Sequence, residues 1–177
     1  MGASTPSMPE RYSPARLGGL IGLVTLVLDQ LSKLVLLHWV DIEQAQPIMI
    51  NEFFDLVLVW NRGISYGLFQ QESALGRGIL LSISIISTFA LLIWMLYTDD
   101  KWLGIGLGLL AGGAIGNAID RAAYGAVVDF IHLHWQSWSW YVFNLADAAI
   151  VAGVGILMYD SLVGQRPKTP PDPTERA

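Results

Sequence analysis

The sequence predicts an α-helical membrane protein: four transmembrane helices, a small extracytoplasmic β-sheet and an interfacial segment. Hydrophobic residues make up 53% of the 177 and charged residues only 14%, against about 25% charged in an average soluble domain. No Lys, Arg, Asp or Glu occurs over residues 78–98 or 102–119, and each gap suits a bilayer crossing, which takes about 20 apolar residues. Between the first two apolar runs, Asn51-Glu-Phe-Phe-Asp-Leu-Val-Leu-Val-Trp60 has strand character, and Asn61, Gly63 and Gly67 supply turn signals.

Residues 1–16 are polar and rich in Ser and Pro, and read as a disordered tail. Residue 6 is Pro where a myristoylation signal needs Ser or Thr. The first apolar segment, residues 17–40, is longer than a signal-peptide core and is not followed by an A-x-A-like site, so a retained helix is expected. The sheet is placed at about residues 41–71. The second span is expected at 78–97, the third at 102–119 after a short turn, and the fourth at 141–162, with the charged and aromatic segment 120–140 at the interface. Residues 17–163 then form a single membrane domain, and 164–177, with four prolines, a second disordered tail.

Four spans put both ends on one side. Arg11, Arg16, Lys101, Arg166, Lys168 and Arg176 share that side against Arg62, Arg77 and Arg121 on the other, so the positive-inside rule makes it cytoplasmic and turns the sheet outward. The net charge of −5 and the lack of a basic stripe argue against a nucleic-acid partner. With no cysteine, thiolate catalysis, disulfides and Cys-ligated metals are excluded.

Asp129 and Asp147 lie in Ala-Val-Val-Asp129-Phe-Ile and Phe-Asn-Leu-Ala-Asp147-Ala-Ala-Ile. A carboxylate in a membrane segment costs about 2.5–3.5 kcal/mol on insertion scales, so it normally faces a protein interior or a wet cavity where it has a task. The bland alternative makes Asp129 a loop residue and Asp147 a helix cap. Against it, Asp147 sits inside an apolar run, with Asn144 one turn earlier.

Other motifs weigh less. Asp29 and Lys33, spaced i,i+4, are expected to pair within the first helix and to support the site. Asn117, Asp120 and Arg121 close the third span. Arg121 either snorkels beside Asp120 or grips a substrate carbonyl or phosphate. Gly104, Gly108, Gly112 and Gly116 form a stripe for close helix packing. Gly63-Ile-Ser65-Tyr-Gly67 matches a nucleophile elbow, but the chain has no room for the parallel sheet an elbow needs, and a hairpin is expected. His132 and His134, two apart, suit a metal together with Asp129 or Asp147. Without an H-E-x-x-H signature, no metal and no cofactor are expected.

Taken in order, Val27-Leu-Asp29-Gln-Leu-Ser-Lys33, Asn61-Arg-Gly63, Gly112-Gly-Ala-Ile-Gly116-Asn117-Ala-Ile-Asp120-Arg121, Val127-Val-Asp129-Phe130 and Phe143-Asn144-Leu-Ala-Asp147 resemble lipoprotein signal peptidase, or signal peptidase II, the aspartic membrane protease family of bacteria. The resemblance spans residues 17–163. It implies that Asp129 and Asp147 are a catalytic dyad, that Asn61, Gly63, Asn117, Arg121 and Asn144 bind substrate, and that Asp29, Lys33 and Asp120 support them. It further implies cleavage of the signal peptide from diacylglyceryl-modified prolipoproteins before the lipidated cysteine. The setting would be the bacterial inner membrane, with membrane lipids as partners, a monomeric enzyme, both ends cytoplasmic and the active site toward the periplasmic face. Arg62, Ile64 and Ser65 depart from the small residues common in the family after Asn61.

The chemistry holds without the family. Two close carboxylates cannot both ionise cheaply, so one keeps a proton while the other serves as base toward water. Two rivals stand beside this reading: a small proton-coupled transporter with Asp29, Asp129 and Asp147 as a relay, which lacks internal repeats, and an assembly factor held together by its glycine stripe.

Overall fold

A computed structural model describes residues 13–63 and 74–163. Helix α1, Pro14–His38, starts with Pro in its first turn and with Ser13 Oγ accepting the Arg16 amide at 3.2 Å. It therefore begins three residues before the apolar run that announced it. A short helix, α2 (Ile42–Ala45), leads into β1 (Ile48–Asn51) and β2 (Phe54–Asn61). The β1–β2 turn is closed by Asn51 Oδ1 accepting the Phe53 amide at 2.8 Å. Ile64, Ser65 and Gly67, and the segments 1–12 and 164–177, lie outside the described residues.

Helix α3 is Ala74–Leu96 and α4 is Lys101–Tyr124. Asp100 caps α4, its Oδ1 accepting from Trp102 N at 2.7 Å and Leu103 N at 3.0 Å. Gly125, at φ 72°, ends α4 in a left-handed turn that favours glycine. Strand β3, Val127–Trp135, β4, Trp138–Ser139, and helix α5, Leu145–Val163, complete the described chain. Among the described residues, four helices are long and apolar enough to cross a membrane, as expected.

Several bounds differ from the sequence reading: α3 starts at Ala74 and not at 78, and α4 runs on to Tyr124 and does not end at 119. Within the segment 120–140, residues 127–139 supply half of one antiparallel sheet of order β1-β2-β3-β4. The fourth span starts at Leu145, because Phe143 is drawn into a bridge with Ile131. Their backbones exchange hydrogen bonds at 2.8 and 3.1 Å. An apolar run such as Tyr141-Val-Phe143 does not by itself distinguish strand from helix.

Helix α4 is the central post, packed against α1, α3 and α5. A Cβ on Gly108 or Gly112 would strike the carbonyl oxygens of Gly18 or Gly22 on α1, so the stripe is the α1–α4 seam. A second pair, Gly106 and Gly113, faces α5: a Cβ on Gly113 would lie 2.5 Å from the Ala146 carbonyl oxygen. Such close approach maximises dispersion contact where no hydrophobic effect drives helix association. The outer faces of α3 and α5, including Ile83, Ile86, Phe89, Val151, Met158 and Leu162, are exposed. They form the lipid-facing surface of a multi-pass membrane protein. Under the sheet, Leu36, Ile42 and Phe130 form a small apolar core that seats β2 and β3 on the end of α1.

Candidate active site

Asp29, Lys33, Asn61, Gly63, Asn117, Asp120, Arg121, Asp129, Asn144 and Asp147 converge where α1, α4, β2, β3 and the start of α5 meet. Two clusters form there. In the first, Lys33 Nζ lies 2.7 Å from Asp29 Oδ2 and 2.7 Å from Asp120 Oδ2. All three side chains are buried. The expected i,i+4 pair is present, but it is half of a triad. Asp120 belongs to Lys33, not to Arg121, and also accepts the Val128 amide of β3 at 3.1 Å. Asp29 Oδ1 accepts the Ala146 amide at 3.0 Å, in the first turn of α5, where a carboxylate complements the exposed amides and the helix dipole. The triad thus fastens four elements. A Cβ on Gly116 would come within 2.5 Å of Asp29 Oδ2, so this glycine makes room for a carboxylate.

The second cluster holds Asp129 on β3 and Asp147 in the first turn of α5. Asn61 Nδ2 donates to Asp129 Oδ2 at 3.0 Å, and Asn144 Nδ2 donates to Asp129 Oδ1 at 2.7 Å. Asn117 Nδ2 donates to Asp147 Oδ1 at 2.8 Å, while its Oδ1 accepts from Asn144 Nδ2 at 3.1 Å. A chain of amides, Asp129–Asn144–Asn117–Asp147, therefore links the two carboxylates. The two amides that donate to Asp129 are also oriented from their other ends. Asn61 Oδ1 accepts the Gly63 amide at 3.0 Å, and Asn144 Oδ1 caps α5 by accepting the Asp147 amide at 2.9 Å. The cap of the fourth span is thus Asn144. Asp147 sits in the first turn of α5, so the apolar residues before it belong to the strand-like approach through Phe143 and those after it to the helix itself.

Arg121 grips neither carboxylate directly. Its guanidinium donates to the Asn117 carbonyl at 3.3 Å and to the Gly63 carbonyl at 3.1 Å, pinning the end of β2 to α4. Asp129 is buried, with 1% exposure. Its pKa is raised from the usual carboxylate value to about 7, first by burial and then by the neighbouring Asp147 charge, against the opposing pull of the Asn61 and Asn144 hydrogen bonds and of Lys33. Near neutral pH the pair can hold one proton and present one base.

Beside Asp147 opens a cavity of about 430 Å³ lined by Asn61, Trp140, Tyr141, Phe143, Ile150 and Val151. Its walls are mainly apolar, it is open to the outside, and it suits an acyl or apolar peptide group. The sequence reading named Asn61 but missed the apolar and aromatic wall residues Trp140, Tyr141, Phe143, Ile150 and Val151, although it placed the aromatic segment 120–140 at the interface. It also missed Gln30, whose Nε2 lies 3.1 Å from Asp120 Oδ1 and 3.2 Å from Asp29 Oδ2. His132 and His134 do not approach the Asp129 cluster in the way expected for a metal: they lie on β3 against Asp55. His132 stands three residues from Asp129, so the two point to opposite faces.

A family model described as signal peptidase (SPase) II matches residues 21–163. A lipoprotein signal peptidase of Methylorubrum extorquens is 58% identical over 145 residues, covering 81% of this chain and 85% of its own. One from Rhodopseudomonas palustris is 52% identical over 156 residues, covering 86% and 95%. A solved bacterial membrane enzyme shares the fold with a TM-score of 0.68 at 24% identity, over 85% of this chain and 92% of its own. Since the match runs from α1 to the end of α5 and takes in both carboxylate clusters, the chain belongs to the signal peptidase II family.

Proposed function

We propose that the chain is the peptidase that removes signal peptides from prolipoproteins, with Asp129 and Asp147 as its aspartic dyad. The observation that carries this reading is the amide-linked carboxylate pair at the mouth of an apolar cavity. One carboxylate takes a proton from water as the oxygen attacks the scissile carbonyl, and the protonated partner donates to the carbonyl oxygen. The two apparent pKa values belong to the pair. Asn61, Asn117 and Asn144 hold the carboxylates in position, and Arg121 keeps Gly63 and the end of β2 over the site.

The substrate class is that of the family, and the cavity supports it. A diacylglyceryl chain on the cysteine after the scissile bond has an apolar wall to enter, and an extended peptide meets the polar end at Asp147 and Asn61. The excess of Lys and Arg on the side of the two chain ends supports a cytoplasmic placement for them and an outward-facing site in the inner membrane. A monomer surrounded by lipid, without nucleic acid, completes the proposal. The test is purified chain in lipid-containing detergent with two precursors, one diacylglyceryl-modified and one not. Cleavage before the modified cysteine of the first alone is expected; equal cleavage of both would remove the lipid from the recognition.

A further inference from the structure

Outside the dyad, on the opposite face of β3, three metal-ligating side chains converge. Asp55 on β2 is the direct cross-strand partner of His132, and His134 follows two residues on, on the same face. One donor atom from each of Asp55, His132 and His134 lies within 4.8 Å of the others. His134 Nε2 is 2.9 Å and His132 Nδ1 3.8 Å from Asp55 Oδ2. The 2.9 Å contact lacks hydrogen-bond alignment: among the described residues, His134 Nε2 and Asp55 Oδ1 are buried polar atoms without a hydrogen-bond partner. Polar atoms left so are expensive and call for a missing ligand.

The far side of His132 is already fixed. Its Nε2 lies 2.7 Å from Ser139 Oγ, and that hydroxyl donates to the Trp140 carbonyl at 3.4 Å. With Nε2 engaged by the Ser139 hydroxyl, Nδ1 is the ring atom on the Asp55 side and the one placed to ligate an ion there. An outer hydrogen bond that sets the tautomer of a ligating imidazole is the usual accompaniment of a metal site. The two rings stack at 5.2 Å between centroids.

We propose that Asp55, His132 and His134 bind a divalent transition metal of the zinc class. Two imidazoles and one carboxylate match the borderline preference of such an ion and leave a fourth position to water. Tetrahedral ligation needs donors roughly 3.3 Å apart at bond lengths near 2.0–2.1 Å, so small side-chain rotations close the set. The metal clips β2 to β3 at the end away from the dyad. The same two strands carry Asn61 and Asp129 at their other end, beyond the register shift between Leu56 and Val59. The site is therefore a staple on the sheet that carries half the dyad, and not part of the acid-base chemistry. It also revises the expectation of no metal, which paired the histidines with the wrong aspartates.

The test uses the full chain, purified without a histidine tag and titrated with Co²⁺ alone. The expected result is about one ion per chain with the intense visible bands of a four-coordinate site, displaced by Zn²⁺. Affinity should fall at least tenfold in Asp55→Asn and in His134→Gln, and stay unchanged in His38→Gln, which alters the remaining histidine. Circular dichroism confirms that each variant is folded, and His132→Gln replaces any that is not. Absence of stoichiometric binding, or binding that survives in the folded cluster variants, overturns the site.

Discussion

Two pairs of aspartates sit within one bundle end, and they differ in what holds them. Asp29 and Asp120 share Lys33, with both N–O distances at 2.7 Å. Asp129 and Asp147 are held by the neutral amides of Asn61, Asn117 and Asn144. Carboxylates that share a cation serve as fasteners. A carboxylate buried beside a like-charged neighbour is pushed toward keeping its proton against the pull of its amide donors, and Asp129 reaches a pKa of about 7. Burial without a directly paired cation, reinforced by the Asp147 charge, sets Asp129 apart from the two aspartates that share Lys33.

The most severe way to break the contrast is to disable each pair in turn. Asp129→Asn or Asp147→Asn should cut the first-order rate of lipidated precursor processing by about 10²–10⁴-fold, the usual worth of a positioned acid or base, while leaving the fold intact by circular dichroism. Full activity in either variant would end the dyad assignment. In the other pair the damage should be to stability. Lys33→Met leaves Asp29 and Asp120 buried without a cation, a loss of about 3–5 kcal/mol, read as a lower unfolding midpoint in detergent.

The contrast was half legible in the sequence. Charge-free runs revealed the spans because a crossing helix excludes Lys, Arg, Asp and Glu over some 20 residues. Asp129 and Asp147 stood out because carboxylates in apolar runs are costly. The i,i+4 spacing revealed Asp29 with Lys33. What remained hidden depends on contacts between distant segments. Asp120 sits next to Arg121 in the chain, yet its partner is Lys33 across the α1–α4 seam. The strand character of β3 was masked because the charged and aromatic residues of 120–140 read as an interfacial segment, and its pairing with β2 joins distant parts of the chain. Asp55 became a partner of His132 only through β2–β3 register, which no single strand reveals.

A milder probe leaves every residue in place and varies pH. Unfolded, Asp129 loses its proton near the ordinary value of 3.8; folded, it keeps it to about 7. Between these pH values the unfolded state binds fewer protons, so stability falls as pH rises across that window and levels off above it. At about 1.4 kcal/mol for each pH unit between the two values, the decline has an upper limit of about 4 kcal/mol. Chemical unfolding followed from pH 4 to 8 should show this decline in the native chain and a flatter profile in Asp129→Asn. An unchanged slope in that variant would mean that Asp129 is not the group responsible.

The smallest expected effect separates positioning from charge. Asn61 donates to the ionised form of Asp129 and so holds its pKa down. Asn61→Ala removes that support, and the proton should be held to higher pH. The alkaline limb of the pH–rate profile, where the dyad loses the Asp129 proton, then moves upward, while the lost positioning of that carboxylate lowers the plateau rate by a few-fold, with a stability loss of about 1 kcal/mol. Gln30→Ala makes the parallel change in the Lys33 cluster, deleting an amide that lies 3.1 Å from Asp120. That cluster fastens helices and transfers no proton to substrate, so this variant should lose a similar amount of stability and leave the limb where it was. If both variants shift the limb equally, the two clusters titrate as one unit, and the division between fastener and reactive pair fails.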